Sequence, residues 1–188
     1  MAIATPKIYK KYRDQIKTGD LILFKARDPI SRLISWKTNK LATNQDSKDA
    51  AHAAMACWSA GPTGTVRLWI LESVLFGTTK SYLSNRITWY MPHGDIWWFK
   101  MLPEWQRRGA EAAESLHDLI GRYYDFQDLL LQAFKRATLD PTRIYCSEYV
   151  TLGWKDIVGL PDDFKVPYPC EMNGDGLGVY EKRGEKLT

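Results

Sequence analysis

Apolar residues in the first quarter of the chain follow first a strand pattern and then a helix pattern. Residues 21–24 are continuously apolar, which is typical of a short buried strand. Pro29 begins a segment in which apolar residues recur at helical spacing as far as Trp36. Residues 38–48 are rich in Asn, Asp, Gln and Ser and predict a loop. We therefore expect the chain to open with a strand, a helix and a polar loop.

A β-hairpin is predicted for the next segment. Residues 52–58 and 66–74 are strand-like, and the turn-forming segment 60–64 joins them. If Ala60 lies opposite Gly64, His52 lies opposite Glu72, and these two are the polar residues of an otherwise apolar face. Opposed residues have Cβ atoms about 5 Å apart, and a buried glutamate without a partner is costly. We therefore expect His52 and Glu72 to pair. The same register pairs Trp58 with Val66, Ala56 with Leu68, Ala54 with Ile70, Cys57 with Arg67, and Met55 with Trp69.

The second half of the chain predicts further strands and then helices. Residues 95–101 are interpreted as a strand and residues 87–90 as a shorter one, so the sheet has four or more strands. Helical spacing predicts helices at 104–120, at 126–137 and from Cys146 to Gly153. The glycines and charges of 173–188 favour a loose tail, which follows a single domain formed by residues 1–172.

Composition narrows the class of protein. A chain of 188 residues with 45% hydrophobic residues can bury its own core without a disulfide or metal. The net charge is +4 and the basic residues are scattered except at the chain ends, so we expect no nucleic-acid partner. The first 20 residues contain no apolar run long enough for a signal peptide or a membrane span. We expect a protein that is cytoplasmic as synthesised, has no integral membrane segment, and uses some of its eight tryptophans to line a groove.

The cysteines and histidines predict neither a disulfide framework nor a metal site. Cys57, Cys146 and Cys170 are an odd number without a CxxC pair, which fits a reducing compartment. No two of the three histidines share a helix turn or a hairpin, as zinc ligands commonly do. We therefore expect no cofactor.

Cys146 is the candidate nucleophile. It lies where a loop becomes a helix, and the positive end of a helix dipole lowers the pKa of a thiol. A nucleophilic cysteine needs an imidazole as base and a third group that orients the imidazole, and His52 with Glu72 meets both needs. The alternatives are a buried structural cysteine, a core histidine and a solvent-facing carboxylate.

Six short motifs follow one another in an order that resembles a known family. They are Gly19-Asp20-Leu21-Ile22-Leu23-Phe24, Pro29-Ile30-Ser31-Arg32-Leu33-Ile34, a strand opened by His52, Leu71-Glu72-Ser73, Gly121-Arg122-Tyr123-Tyr124-Asp125-Phe126, and Tyr145-Cys146-Ser147-Glu148-Tyr149-Val150. This order resembles the circularly permuted branch of the NlpC/P60 papain-like superfamily, the YiiX-like cysteine hydrolases. In that branch the histidine strand precedes the cysteine helix, as His52 precedes Cys146 here.

The resemblance implies an α+β fold in which the cysteine helix packs on an antiparallel sheet. It implies Cys146 as nucleophile, His52 as base and Glu72 as the group that orients the base, with the Tyr124 hydroxyl beside the oxyanion. The implied activity is a cysteine hydrolase that cleaves an amide bond, such as a peptide linkage of peptidoglycan. A cytoplasmic chain would reach that substrate only if another component, such as a phage lysis system or a virion, delivered it.

Two other functions stay open. The superfamily also contains lipid acyltransferases and lipid hydrolases with the same Cys and His machinery, and the many tryptophans together with the amphipathic helix at residues 30–36 would suit an acyl chain. A catalytically silent binding module would keep the fold and use the aromatic groove for a ligand. The presence of Cys146, His52 and Glu72 together argues against that module, because a binder does not need all three.

Overall fold

An antiparallel sheet with helices on both faces forms the described part of the molecule. The computed structural model describes residues 6–27, 29–42, 44–74, 76–123 and 144–188. Within these residues the sheet has six strands in the order β4-β3-β2-β1-β5-β6. The strands are β1 (Leu21–Ala26), β2 (His52–Ala60), β3 (Val66–Val74), β4 (Gly77–Tyr82), β5 (Gly94–Phe99) and β6 (Glu185–Lys186). The α-helices are α1 (Lys7–Tyr12), α2 (Pro29–Thr38), α3 (Leu83–Tyr90), α4 (Gly109–His117) and α5 (Cys146–Val158). Among the described residues, no helix combines the length and apolar composition needed to cross a membrane.

The sheet is buried on both faces, which explains the continuous apolar run in β1. Leu21 and Leu23 belong to the cluster under α4 and α5, whereas Ile22 and Phe24 belong to the cluster under α3. Side chains alternate between the faces of a strand, so a strand covered on both faces must be apolar at every position. The predicted strand, the helix that follows it and the helix that begins at Cys146 are confirmed.

Asp20 is a buried carboxylate that ties the start of β1 to the end of β5. One oxygen, Oδ2, accepts hydrogen bonds from the Lys17 N–H at 2.8 Å and the Trp98 Nε1–H at 2.7 Å. The other, Oδ1, accepts one from the Met101 N–H at 3.0 Å. These three bonds offset part of the cost of burying the carboxyl group, and burial still holds its pKa above the ordinary value.

Asp20→Asn is expected to destabilise the protein by about 1–3 kcal/mol, because an amide offers one acceptor oxygen and places an N–H₂ group against a buried donor. Urea unfolding measures this loss. The matched control is Asp14→Asn, whose carboxylate is exposed and pairs with its neighbour Arg13, and we expect a change within about 0.5 kcal/mol. Equal effects of the two substitutions would contradict this role of Asp20.

The predicted hairpin is confirmed, but its register was predicted wrongly by two residues. Ala60 pairs with Val66, and Ala54 rather than His52 lies opposite Glu72. The Gly61 N–H donates to the Thr65 carbonyl at 2.9 Å, which gives the connection two more residues than expected. The other predicted pairs move by the same step: Trp58 pairs with Leu68, Ala56 with Ile70, Cys57 with Trp69, and Met55 with Leu71. A shift of two keeps every side chain on its face, so His52 and Glu72 still share one.

Residues 87–90 were predicted wrongly as a strand. They form the second half of α3, in which Leu83, Ile87 and Tyr90 are buried, while β4, which the sequence analysis did not identify, is the neighbour of β3. A run of four residues fits a strand or a helix turn equally well, and here the spacing of Leu83, Ile87 and Tyr90 decides for the helix.

The helix predicted at 104–120 is shorter than expected. A 3₁₀ turn at Pro103–Trp105 precedes α4, and Ile120 is exposed. The helix predicted at 126–137 lies outside the described residues.

The C-terminal residues are part of the fold, so the expectation of a loose tail at 173–188 was wrong. Strand β6 pairs with β5, and the side chains of Val179, Tyr180 and Leu187 are buried. The Tyr180 hydroxyl accepts a hydrogen bond from the Trp154 Nε1–H at 2.6 Å. Four glycines made this segment look like a tail, but its few large apolar residues are enough to hold it against the sheet.

Candidate active site

The start of α5 places the Cys146 thiol at the end of the sheet where β2 begins and β3 ends. The Ser73 hydroxyl at the end of β3 donates a hydrogen bond to the Ile144 carbonyl at 2.5 Å, which fixes the segment that leads into α5. Helix α5 then packs on β2 and α4. The buried thiol contacts the imidazole of His52 and the backbone N–H groups of Ala53 and Ser147. The first turn of α5 and the first residues of β2 therefore enclose the sulfur.

His52 and Glu72 form the hydrogen-bonded pair that the sequence analysis expected, although they are diagonal neighbours rather than directly opposed. His52 Nε2 lies 2.8 Å from Glu72 Oε2, and the Glu72 side chain is buried. With Nε2 engaged, Nδ1 is the ring nitrogen left to face the thiol. The Phe24 ring, with its centroid 5.1 Å from that of the imidazole, packs beside it. The sulfur, imidazole and carboxylate therefore form a chain of contacts.

Arg86 on α3 is the fourth member of this chain. Its Nε lies 2.9 Å from Glu72 Oε1 and 3.1 Å from Oε2. The guanidinium also lies over the rings of Phe24, Trp89 and Tyr90, at 5.2, 4.9 and 5.7 Å from their centroids. Burial raises the pKa of the Glu72 carboxyl, but the His52 hydrogen bond and the Arg86 charge outweigh burial and hold it below its usual value. Glu72 is therefore held as a carboxylate.

The electrostatics of the pair favour a thiolate beside an imidazolium. Burial lowers the pKa of His52, but the neighbouring Cys146 thiolate and Glu72 carboxylate outweigh burial and raise it to about 9. Burial raises the pKa of the Cys146 thiol, and the charge and hydrogen bond of His52 outweigh burial and lower it. A thiolate is the nucleophilic form of cysteine. The arrangement can therefore present an activated sulfur near neutral pH.

The pKa of His52 is expected to fall by about one unit or more in Glu72→Gln and again in Cys146→Ala, because each substitution removes a negative neighbour that stabilises the imidazolium. An NMR titration of the histidine ring signals measures this without a substrate. Wild-type His52 should titrate near pH 9. A wild-type titration near the ordinary histidine value, unmoved by both substitutions, would contradict the arrangement.

The structure brings together three of the four candidate site residues. Cys146, His52 and Glu72 meet as described, while Tyr124 lies outside the described residues, so its role remains a prediction. Arg86 was missed. A buried Glu72 needs a cation, and this need was the signal that could have identified Arg86. The interpretation of residues 87–90 as a strand hid it, because the helix that places Arg86 against β3 was not expected.

Comparisons with known proteins give a likeness of fold. No family model matches the chain, and no curated protein matches it. Among solved structures, the chain resembles the crystal structure of metalloprotein yiiX from Escherichia coli O157:H7, with a TM-score of 0.53 and 20% sequence identity. The match covers 89% of this chain and 87% of that one. The expected α+β class, with helices packed on an antiparallel sheet, is confirmed as a fold of this kind.

The described residues do not fit a metal site of the kind that the word metalloprotein suggests for that relative. They contain no group of three or more His, Cys, Asp or Glu side chains that could hold an ion. Glu72, the carboxylate nearest to His52, is already held by the Arg86 guanidinium. A second cation at Glu72 would be repelled by Arg86. We therefore derive no chemistry from a metal.

Proposed function

We propose that the protein is a cysteine hydrolase that cleaves an amide bond through an acyl-thioester on Cys146. The observation that carries the proposal is the contact chain from the Cys146 thiol through His52 to the buried Glu72, at the start of a helix. A sulfur, an imidazole and an orienting carboxylate are the parts that nucleophilic catalysis by cysteine requires. A binding module has no need of this arrangement.

In the first half-reaction, the Cys146 thiolate attacks the substrate carbonyl carbon and forms a C–S bond. The tetrahedral oxyanion collapses, the C–N bond breaks, and the His52 imidazolium gives its proton to the leaving amine. In the second half-reaction, His52 takes a proton from a water molecule as the water attacks the thioester. The C–S bond then breaks, and a carboxylic acid leaves while the thiolate is restored. We assign the backbone N–H of Cys146, the first residue of α5, to the stabilisation of the oxyanion.

The substrate class we favour is a peptide linkage, such as those of peptidoglycan. Support comes from the order of the six sequence motifs, which resembles that of the permuted NlpC/P60 enzymes. Lipid-directed hydrolysis or acyl transfer is the second candidate, because α2 exposes Leu33 and Trp36, of which 52% and 78% are accessible. Exposed apolar side chains of this size would suit an acyl chain.

Trapping the acyl-enzyme tests the proposed reaction. The protein is mixed with p-nitrophenyl butyrate at acidic pH and quenched, and its peptides are mapped by mass spectrometry. We expect one butyryl group, on Cys146, which is absent in Cys146→Ala and retained in Cys57→Ala. Butyrylation of Cys57 or Cys170 alone, or none at all, would overturn the proposal. Digestion of purified peptidoglycan and of phospholipid vesicles, with product analysis by mass spectrometry, then decides between the two substrate classes.

A further inference from the structure

A cleft of about 480 Å³ has a lining that includes none of Cys146, His52 and Glu72, and it takes no part in the proposed chemistry. It opens between α2 and the neighbouring ends of β1 and β5. Its lining combines two indoles, Trp36 and Trp97, with three cations, Lys25, Arg27 and Arg32. Trp36 is exposed, whereas Trp97 is half-buried against the core cluster under α5. The cleft thus lies on the face of the sheet that carries the cysteine helix.

The cleft has more positive charge than its own carboxylates neutralise. Asp95 Oδ1 lies 3.0 Å from Lys186 Nζ, a cation from outside the cleft, and 4.0 Å from Arg27 Nη2 within it, so this one carboxylate is shared between two cations. Asp49 accepts a hydrogen bond from Asn39 Nδ2 at 2.6 Å. Arg32 forms no ion pair with any described residue. Lys25 Nζ lies 4.5 Å from the centroid of the Trp97 ring and donates to the Gln45 carbonyl at 3.2 Å. The carboxylates of Asp49, Asp46 and Asp95 act on its charge from a distance, but it forms no ion pair with any of the described residues.

Strand pairing connects one wall of this cleft with the residue whose N–H contacts the thiol. Ala53, whose N–H contacts the Cys146 sulfur, lies opposite Leu23 of β1, and Leu23 lies opposite Trp97 of β5. The three residues therefore form a row across the sheet on one face. Neighbouring strands are about 4.8 Å apart, so the Trp97 backbone lies about 10 Å from that of Ala53. Lys25 follows Leu23 by two residues and faces the same side.

We propose that this cleft is a specificity subsite that binds a negatively charged group of the substrate whose carbonyl Cys146 attacks. The inference rests on the proposed function and adds a substrate class to it. Arg32 and Lys25 bind the anionic group, and the indoles of Trp36 and Trp97 pack against the apolar part between that group and the scissile bond. Guanidinium and ammonium groups form charge-assisted hydrogen bonds with carboxylates, which are stronger than neutral ones.

Matched esters test the subsite. The substrates are p-nitrophenyl monoesters of dicarboxylic acids of increasing length, each compared with the neutral monocarboxylic ester of the same length. We expect kcat/KM to favour the anionic ester by about tenfold at the chain lengths at which its carboxylate reaches the cleft. This factor corresponds to one charge-assisted hydrogen bond. Arg32→Gln and Lys25→Gln should each lower this ratio, and so should added salt. Arg107→Gln, which changes an exposed arginine away from the cleft, should leave the ratio unchanged.

The outcomes separate the subsite from the reaction. If anionic and neutral esters acylate Cys146 equally well at every length, the subsite is overturned and the proposed reaction stands. If the anionic ester is preferred but neither Arg32→Gln nor Lys25→Gln lowers the ratio, the assignment to this cleft is overturned. If no ester acylates Cys146, the reaction is overturned and the subsite with it.

Discussion

Cys146→Ala is expected to abolish hydrolysis while the protein remains folded. The substitution removes the nucleophile and leaves no other group in the contact chain that could form the acyl intermediate. For enzymes of this kind, loss of the nucleophile lowers kcat by about 10⁴-fold or more. The assay measures the rate of hydrolysis of p-nitrophenyl butyrate, the ester used to trap the acyl-enzyme. Circular dichroism and the thermal unfolding midpoint show whether the fold is intact. We expect both to change little, because the substitution removes only one buried sulfur atom.

Three further variants serve as controls for this result and as comparisons with it. Cys57→Ala removes another buried thiol outside the site and should keep full activity. His52→Ala should abolish activity as well, because the base is lost. Glu72→Gln should lower activity by a smaller factor, because an amide can still hold the imidazole. Full activity in Cys146→Ala would exclude the proposed mechanism.

Arg86→Met is expected to have the largest effect on stability, a loss of about 3–5 kcal/mol in the free energy of unfolding. The guanidinium contacts both oxygens of Glu72, whose side chain is only 3% exposed. Methionine keeps the apolar contacts with Phe24 and Tyr90 but leaves the carboxylate buried with one partner. Urea unfolding measures the loss, and Arg107→Met, at an exposed arginine, is the control expected to change little.

The pH dependence of this loss identifies its cause. The folded-state pKa of Glu72 lies below its unfolded value, so the Arg86 contribution is fully present above the unfolded carboxyl pKa, about 4.3. It is lost as the pH falls through the folded pKa, where both proteins carry a protonated Glu72. The difference between wild type and Arg86→Met should therefore shrink in acid. In the double variant Glu72→Gln/Arg86→Met, part of the stability should return. A difference that is independent of pH would mean that Arg86 acts through packing alone.

The hairpin shows how much of the site the sequence could predict. Alternation in β2 and β3 placed His52 and Glu72 on the same face, and this follows from the period of two whatever the register. The register itself depends on the geometry of the connection at 61–65, where Gly61 bonds to Thr65, and a Gly-Pro-Thr-Gly sequence is compatible with more than one such geometry. The predicted contact between His52 and Glu72 is present despite the wrong register, because a histidine side chain is long enough to reach its diagonal neighbour.

Elements whose identity depends on distant contacts were harder to predict. Residues 87–90 have strand-forming side chains, and they become helical because Ile87 and Tyr90 continue the apolar spacing that begins at Leu83 and pack with it on the sheet. The C-terminal residues become a strand because β5 offers them a free edge. Arg86 could be assigned to Glu72 only once α3 was placed against β3. In contrast, the position of Cys146 at the start of a helix was predictable, because it is a local feature of the sequence.

The alkylation rate of Cys146 tests the central claim most directly. The rate of iodoacetamide modification of each cysteine is measured against pH by peptide mass mapping, in the wild type and in His52→Ala, with Cys57 and Cys170 as internal references. We expect Cys146 alone to react fast below neutral pH, and His52→Ala to return it to an ordinary thiol with a pKa of about 8.5. Slow modification of Cys146 that is the same with and without His52 would contradict a working Cys146–His52 pair and would favour a binding role for the fold.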